Sequence, residues 1–439
     1  MRLLFISPAF PPMRAGESEH ALRLCWKLAD SGLDVHVVTT KGCSVKGAVP
    51  FKIHPIMHTW SWWDAVRLSW FVRKMAPDAV LLMYTGWLYA DHPMITFAPT
   101  LLKRVVRGLV FVTQMENDKP SYLTTWSKRL TRKLAAFLCG SSGVHYEFGT
   151  LLRDSDVVIA LSHQHLENFA PHIPATGNRS MVIPPPPLLN IVTSKNGIVK
   201  QKGREIFGFK STDFVLAFYG YADRNKGIET LFEALRLVRE KYVNTHLIMI
   251  GGGRGSKDKN MTQEAEKVAQ YEKELQNLPA AMGIADAVTW LPGYASDSED
   301  ASVYLHAADV CVLPFDQGVT LSRSSLAAAV SHGLPVVSTK VKCVEAAFRH
   351  RDNILLCPPK NAQALADNIC SLLADHELYH RLCRGSQQLA ATWFSWDQAI
   401  DKTIQAMRGP AENNELDDEA SQLSMESKRS AKQLPEIKM

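Results

Sequence analysis

Short apolar runs alternate with helical patterns along this chain, and four consecutive prolines, Pro184 to Pro187, interrupt the alternation. Leu3–Ser7, Val35–Thr39, Ala79–Met83, Leu109–Thr113 and Val157–Leu161 precede the prolines; Phe214–Tyr219, His246–Ile250, Val288–Leu291, Val310–Leu313 and Pro335–Ser338 follow them. Runs this short, apolar on both faces and separated by helices, fit strands buried in a parallel sheet. Between the first two runs, Ala21, Leu24, Cys25, Leu28 and Ala29 mark a helix, with Ser18 placed to cap its start and Gly32 to close its end. Ile228, Leu231, Phe232, Leu235 and Val238 mark the matching helix in the second series. Four prolines cannot continue a helix or a central strand, so 184–202 reads as a linker. A chain of 439 residues exceeds one ordinary core. The expected fold is therefore α/β, with doubly wound units over 1–183 and 203–392, a helix over 393–408 that could cross back to the first unit, and a disordered polar tail over 409–439.

The formal charge of +5 is small but unevenly placed. Residues 1–185 carry twenty Lys and Arg against thirteen Asp and Glu, whereas 409–439 carry four against seven. A balance this mild gives no reason to expect nucleic acid as a partner. No apolar run reaches the ~18 residues that would cross a bilayer, and the opening MRLLFISP reads as a strand rather than a signal peptide. Eight cysteines without a Cys-x-x-Cys pair read as reduced thiols in a cytoplasmic protein. Trp60-Ser61-Trp62-Trp63, the helix running on to Lys74, and the pairs Lys103-Arg104 and Lys128-Arg129 mix aromatic with cationic side chains. Such a mixture marks either a surface that meets anionic lipid at the inner membrane face or a buried aromatic helix with a solvated charged side.

Within the second series, Asp309–Lys340 reads as strand, polar loop, alanine-rich helix, strand. That order aims the N-terminus of a helix beyond the end of a parallel sheet, where unpartnered N–H groups and the helix dipole favour anions such as phosphate. An ordinary crossover would give the same pattern. In the first series, His92 and Glu116 fall near or beyond strand ends, as chemical groups or as structural ones. Gly251-Gly252-Gly253 lacks the spacing of a dinucleotide fingerprint and reads as a tight turn.

Several local motifs resemble one family. They are Pro11-Pro12 to Gly16 before the first helix, Gly220 to Lys226-Gly227 before the second marked helix, and Leu247 to Gly253. Leu291-Pro292-Gly293-Tyr294, Ala308-Asp309-Val310 with Leu313-Pro314, His332-Gly333-Leu334-Pro335-Val336-Val337 and Asn353 to Pro359 complete the set. Together, over roughly residues 1–408, they resemble the retaining GT-B glycosyltransferases of the group usually called family 4. The resemblance implies two Rossmann-like domains facing each other across a cleft. It also implies transfer of a sugar, with retention at the anomeric carbon, from a nucleotide-diphosphate sugar donor to a glycan, lipid-linked or small-molecule acceptor. No cofactor or metal is implied. Lys226 matches the family's phosphate-binding lysine, the loop Gln317-Gly318-Val319-Thr320-Leu321-Ser322-Arg323-Ser324-Ser325 would face the donor, and Gly16 and Gly220 would let backbone approach it. His92 would assist near the sugar, and the base would lie near Gly293 and Tyr294.

The chain also departs from that pattern. Tyr221 stands where an arginine is usual, leaving Arg224 or Arg323 to take its part. The usual pair of glutamates is absent: Ala328 holds the second position, and Thr320, Asp316 or Gln317 the first. Ribose recognition would then fall to Glu345, Ser324 or Ser325. These departures keep two further readings open, a catalytically weakened relative that binds a nucleotide sugar or a partner, and a nucleotide-sugar epimerase.

Overall fold

A computed structural model describes residues 1–409 except 14, 46, 119–124, 174–178, 194–196, 252–262, 292–297 and 341–344. The expected tail beyond 409, the base-site residues Gly293 and Tyr294, and Gly252 and Gly253 lie outside the described residues.

Seven parallel strands form the first sheet: β1 (Arg2–Ile6), β2 (Asp34–Thr40), β3 (Lys52–Met57), β4 (Ala79–Tyr84), β5 (Val110–Met115), β6 (Val157–Ala160) and β7 (Ser180–Val182), in the order β3-β2-β1-β4-β5-β6-β7. The second holds six: β8 (Phe214–Tyr219), β9 (Thr245–Ile250), β10 (Val288–Trp290), β11 (Val310–Leu313), β12 (Val336–Thr339) and β13 (Leu355–Cys357), in the order β10-β9-β8-β11-β12-β13. Both are doubly wound: each starts near its middle and grows outward both ways. Helices of the first unit are α1 (Gly16–Asp30), α2 (Trp62–Met75), α3 (Ala98–Val105), α4 (Trp126–Leu138), α5 (Leu151–Asp154) and α6 (His163–Phe169). Then follow α7 (Ile198–Phe207), α8 (Ile228–Arg239), α9 (Gln263–Ala281), α10 (Asp300–Ala307), α11 (Ser324–Ser331), α12 (Ala362–Ala374), α13 (His376–Trp393) and α14 (Trp396–Arg408).

Side chains alternate across a strand, so β1 feeds two cores. Leu4 and Ile6 join a cluster with Leu68, Val72 and Leu102, whereas Leu3 and Phe5 join one with Leu24, Leu28, Ala399, Ile400 and Met407. The last helix, α14, thus packs beside α1 on the first sheet. A fully buried side chain of this kind contributes about 1.5–3 kcal/mol, which fixes α14 there. Trp396 anchors its start, with Nε1 donating to the Pro187 carbonyl at 3.2 Å. In the second sheet, the Asp309 carboxylate ties α7 to β11 and β8 by accepting from Lys200 Nζ (2.6 Å), Arg204 Nη2 (2.5 Å) and the Val215 amide (2.8 Å).

The structure alters four sequence expectations. Strands β3 and β7 lie at the two edges of the first sheet; Pro55 is tolerated in β3 because an edge strand leaves N–H groups unpaired. Pro184–Pro187 are buried, and α7 begins within the stretch expected to be a linker, where Gly203 lets it close on α10: a Cβ there would lie 2.6 Å from the Val303 carbonyl oxygen. Ala15 is the N-cap of α1, so Ser18 sits buried in the first turn instead of capping it. Pro335 stops short of β12, though its carbonyl accepts from the Cys311 amide at 2.9 Å.

On α1, Glu19 faces a recess of about 290 Å³ lined by Arg23, Trp26, Asn190 and Trp396. Burial lifts its carboxyl from 4.5 to about 7, against the opposing charge of Arg23. A raised folded-state value means that the native protein holds a proton which the unfolded chain has released. The resulting stabilisation is complete below pH 4.5 and is lost as pH rises through about 7. Thermal melts from pH 5 to pH 8 should therefore show the wild type losing stability relative to Glu19→Gln, with parallel curves counting against this account.

Candidate functional site

The second sheet ends in a set of turns that converge. At Gly227, the N-cap of α8 with φ +67°, an added Cβ would stand 2.0 Å from the Pro314 carbonyl oxygen just beyond β11. This close approach sets the turn before α8 against the loop after β11, and Asp316 N–H donates to the Asn225 carbonyl at 3.1 Å. The Lys226 ammonium consequently lies 5.1 Å from the centroid of the buried Phe315 ring. Arg323 reaches the same ring, its guanidinium carbon 4.8 Å from the centroid. Two cations on one ring lie within about 10 Å of each other.

The loop between them is pinned at both ends. Val319 N–H donates to the Thr339 carbonyl (2.9 Å), Gly318 adopts φ +78°, and the Thr320 and Ser322 hydroxyls bond at 2.7 Å. Helix α11 starts at Ser324 with Arg323 as its N-cap, and its first amides to bond back are Leu326 and Ala327, both to the Arg323 carbonyl. The Ser324 and Ser325 amides thus precede the first intrahelical bond, at the positive end of the helix dipole. Gly220 (φ +139°) adjoins this terminus, with its Cβ position 4.0 Å from the Ser325 Cβ. Gln317 is exposed at the loop's outer side.

Arg323 is enclosed, and its Nε has no hydrogen-bond partner. Burial lowers the guanidinium's proton affinity while Asp118, beyond β5, opposes that shift. His165 on α6 is buried, with Nδ1 likewise unpartnered; burial depresses its titration, opposed by Asp118 and reinforced by Arg323. Nearby in the first unit, His20 Nδ1 stands 3.6 Å from Glu116 Oε1, which also accepts from Gln114 Nε2 at 2.7 Å. Glu345 joins the two units. Its Oε1 accepts from the Leu321 amide (2.8 Å), and its Oε2 lies 3.4 Å from the His163 amide and 3.3 Å from Nδ1 of the same residue. Burial raises its pKa, while those donors pull it back down.

Not every anticipated residue lies at this convergence. Arg224 stacks on Tyr271 at 4.6 Å and approaches Glu274 at 4.0 Å, so it turns toward α9 rather than Phe315. His92 caps the short 3-10 turn Pro93–Phe97, its Nδ1 accepting from the Met94 amide at 3.1 Å, and burial lowers its pKa to about 4. Gly16 opens α1 with nothing within 4 Å of an added Cβ, so no protein contact requires glycine there. Both Glu345 oxygens are engaged, one by the loop at Leu321 and the other by His163. Ala328 is fully buried inside α11, and Thr320 is buried as well. The sequence reading missed Phe315, His20, Asp118, His163 and His165. Phe315 was detectable as the aromatic residue that follows Pro314 at the end of β11; the others are gathered by the fold of the first unit, and His163 and His165 meet Glu345 and Arg323 where it joins the second.

Residues 213–375 match the family of glycosyl transferases group 1. Two similar proteins are a D-inositol 3-phosphate glycosyltransferase of Corynebacterium urealyticum, 27% identical over 49% of this chain and 49% of that one, and a GDP-mannose-dependent phosphatidylinositol monomannoside mannosyltransferase of Mycobacterium tuberculosis, 24% identical over 42% and 44%. The chain spans about half the length of the curated relatives it matches. Among solved structures, sucrose-phosphate synthase from Thermosynechococcus elongatus superposes with a TM-score of 0.67 at 19% identity, covering 93% of this chain and 98% of that one. HepE of Anabaena, solved with UDP and glucose, gives 0.64 at 17% identity over 93% and 99%. The fold is GT-B.

Gly227→Ala should lower unfolding stability by about 2–4 kcal/mol, because the side chain meets backbone at a positive φ. Denaturant melts measure this, and a loss below about 0.5 kcal/mol would mean that the two turns separate without cost.

Proposed function

We propose that the protein is a glycosyltransferase that moves a sugar from a nucleoside-diphosphate donor to an acceptor, with retention at the anomeric carbon. The observation that carries this reading is the meeting of Lys226 and Arg323 on Phe315, beside the N-terminus of α11. When the bond from the anomeric carbon to the diphosphate oxygen breaks, negative charge collects on phosphate oxygens. Fixed cations and aimed amides stabilise that charge more than they stabilise the intact donor, and this difference accelerates the step. Lys226 acts as a compact point charge. Arg323 offers a planar fork of donors, held by the ring and lacking a partner at Nε, and it takes the part left vacant by Tyr221.

On the opposite side, His20 with Glu116, and His165 with Asp118, give the acceptor's half of the site groups that can hold a hydroxyl and its proton. The similar proteins named as glycosyltransferases and the UDP-bound structural neighbour support a nucleotide-sugar donor. The acceptor belongs to the glycan, lipid-linked or small-molecule classes.

Donor turnover tests the proposal. Purified protein should bind one or more of the UDP, GDP, ADP or TDP sugars, read as a rise in melting temperature, and should turn over that donor. Lys226→Ala and Arg323→Ala should each cut kcat/KM by roughly 10²–10³-fold with melting unchanged. Full turnover in both variants, or no donor binding in the wild type, would reject the diphosphate site.

A further inference from the structure

Helix α4 turns an apolar stripe outward. Trp126, Leu130, Leu134 and Phe137 recur at i, i+4, i+8 and i+11 and are 76%, 49%, 59% and 75% exposed. Hydrophobic residues at that spacing ordinarily face a core. Here the core-facing positions are Arg132 and Ala135 instead. Helix α2 lies close by, for Trp62 packs against the small buried cluster of Phe97, Ala135 and Cys139. Trp63 and Trp70 of α2 are 85% and 63% exposed.

The exposed charges on these helices have one sign. Lys128, Arg129, Arg132 and Lys133 lie on α4, which contains no Asp or Glu. The single acid of α2, Asp64, is buried and turned inward, accepting from the Thr59 and Trp60 amides at 2.9 and 2.8 Å. Arg132, behind the stripe, is buried over the Tyr146 ring with both terminal nitrogens unpartnered, which adds positive potential from beneath.

We propose that α4, with the adjoining α2, docks the protein on an anionic bilayer. An amphipathic helix of this composition lies in the membrane plane, with its aromatic and leucine side chains in the interface and its cations at the headgroups. Charge complementarity selects this occupant over a second copy of the chain, because pairing two such faces would set the four cations of α4 against their counterparts, with Asp91 beside Lys128 and Glu147 beside Arg132 as the nearby carboxylates. The docking face stands independently of the transfer reading, since none of its residues belongs to the diphosphate site.

Sedimentation of the full chain with vesicles of pure phosphatidylcholine, and with equimolar phosphatidylcholine and phosphatidylglycerol, tests the proposal. Partition onto the anionic vesicles should be stronger by roughly tenfold or more and should weaken as salt is added. The double variant Arg129→Glu/Lys133→Glu should lose roughly tenfold or more of it. Phe137→Ser should lose it too, with melting and donor turnover on a water-soluble acceptor unchanged. Equal partition onto both vesicles, binding that survives both variants, or a concentration-dependent dimer that Phe137→Ser dissolves would overturn the proposal.

Discussion

At Gly227 the backbone passes so close to the Pro314 carbonyl that a Cβ would stand 2.0 Å from its oxygen, and at Gly251 one would stand 2.4 Å from the Gly220 carbonyl oxygen. Both glycines hold positive φ, which side-chain-bearing residues rarely adopt. These two contacts draw the ends of β8, β9 and β11 into one tight corner. Lys226 directly precedes Gly227, and Phe315 directly follows Pro314. The ammonium comes over the ring because the backbones beside them touch. The position of the first cation is thus set by main chain rather than by a network of side chains. The second, Arg323, arrives from the N-cap of α11, whose loop is pinned separately at Val319 and Leu321.

Much of this was legible in the sequence, for a reason that particular residues make plain. Runs such as Leu3–Ser7 and Val310–Leu313 sit in the middle of their sheets, where both faces are buried and the pattern is continuous. The edge strands β3 and β7 carry partly exposed, mixed residues, and the proline in β3 argues against a strand unless the edge position is known. Within the site, Lys226, Gly220 and the loop ending at Ser325 were marked by local motifs, and they are brought together because each follows a strand of the same sheet. The direction of Arg224 was not legible: a residue on a three-residue turn aims according to its neighbours, and here Tyr271 and Glu274 draw it toward α9. His20, His163, His165 and Asp118 come from α1, α6 and the loop after β5 of the first unit, and His163 and His165 face Glu345 and Arg323 only where that unit meets the second; no spacing along the chain encodes either.

Glu345 bridges the loop before α11 and the start of α6. One oxygen holds the loop at Leu321, and the other faces His163 at the start of α6. A buried carboxylate is costly unless donors surround it, so this group favours the arrangement in which both units supply those donors. The loop that carries Arg323 is then ordered partly by the first unit. Assembly of the corner that holds Lys226 and Arg323 and approach of the two units are consequently linked through one side chain.

The return of α14 changes what kind of joint this is. The chain leaves the first sheet through the buried prolines and comes back to it at Trp396, and the two passages touch where the indole donates to the Pro187 carbonyl. A body hung from one strand can swivel about any axis; one hung from two adjacent strands behaves like a door, with its motion confined largely to bending about the line on which they meet. Cutting the chain within one passage would leave the halves still held by the other.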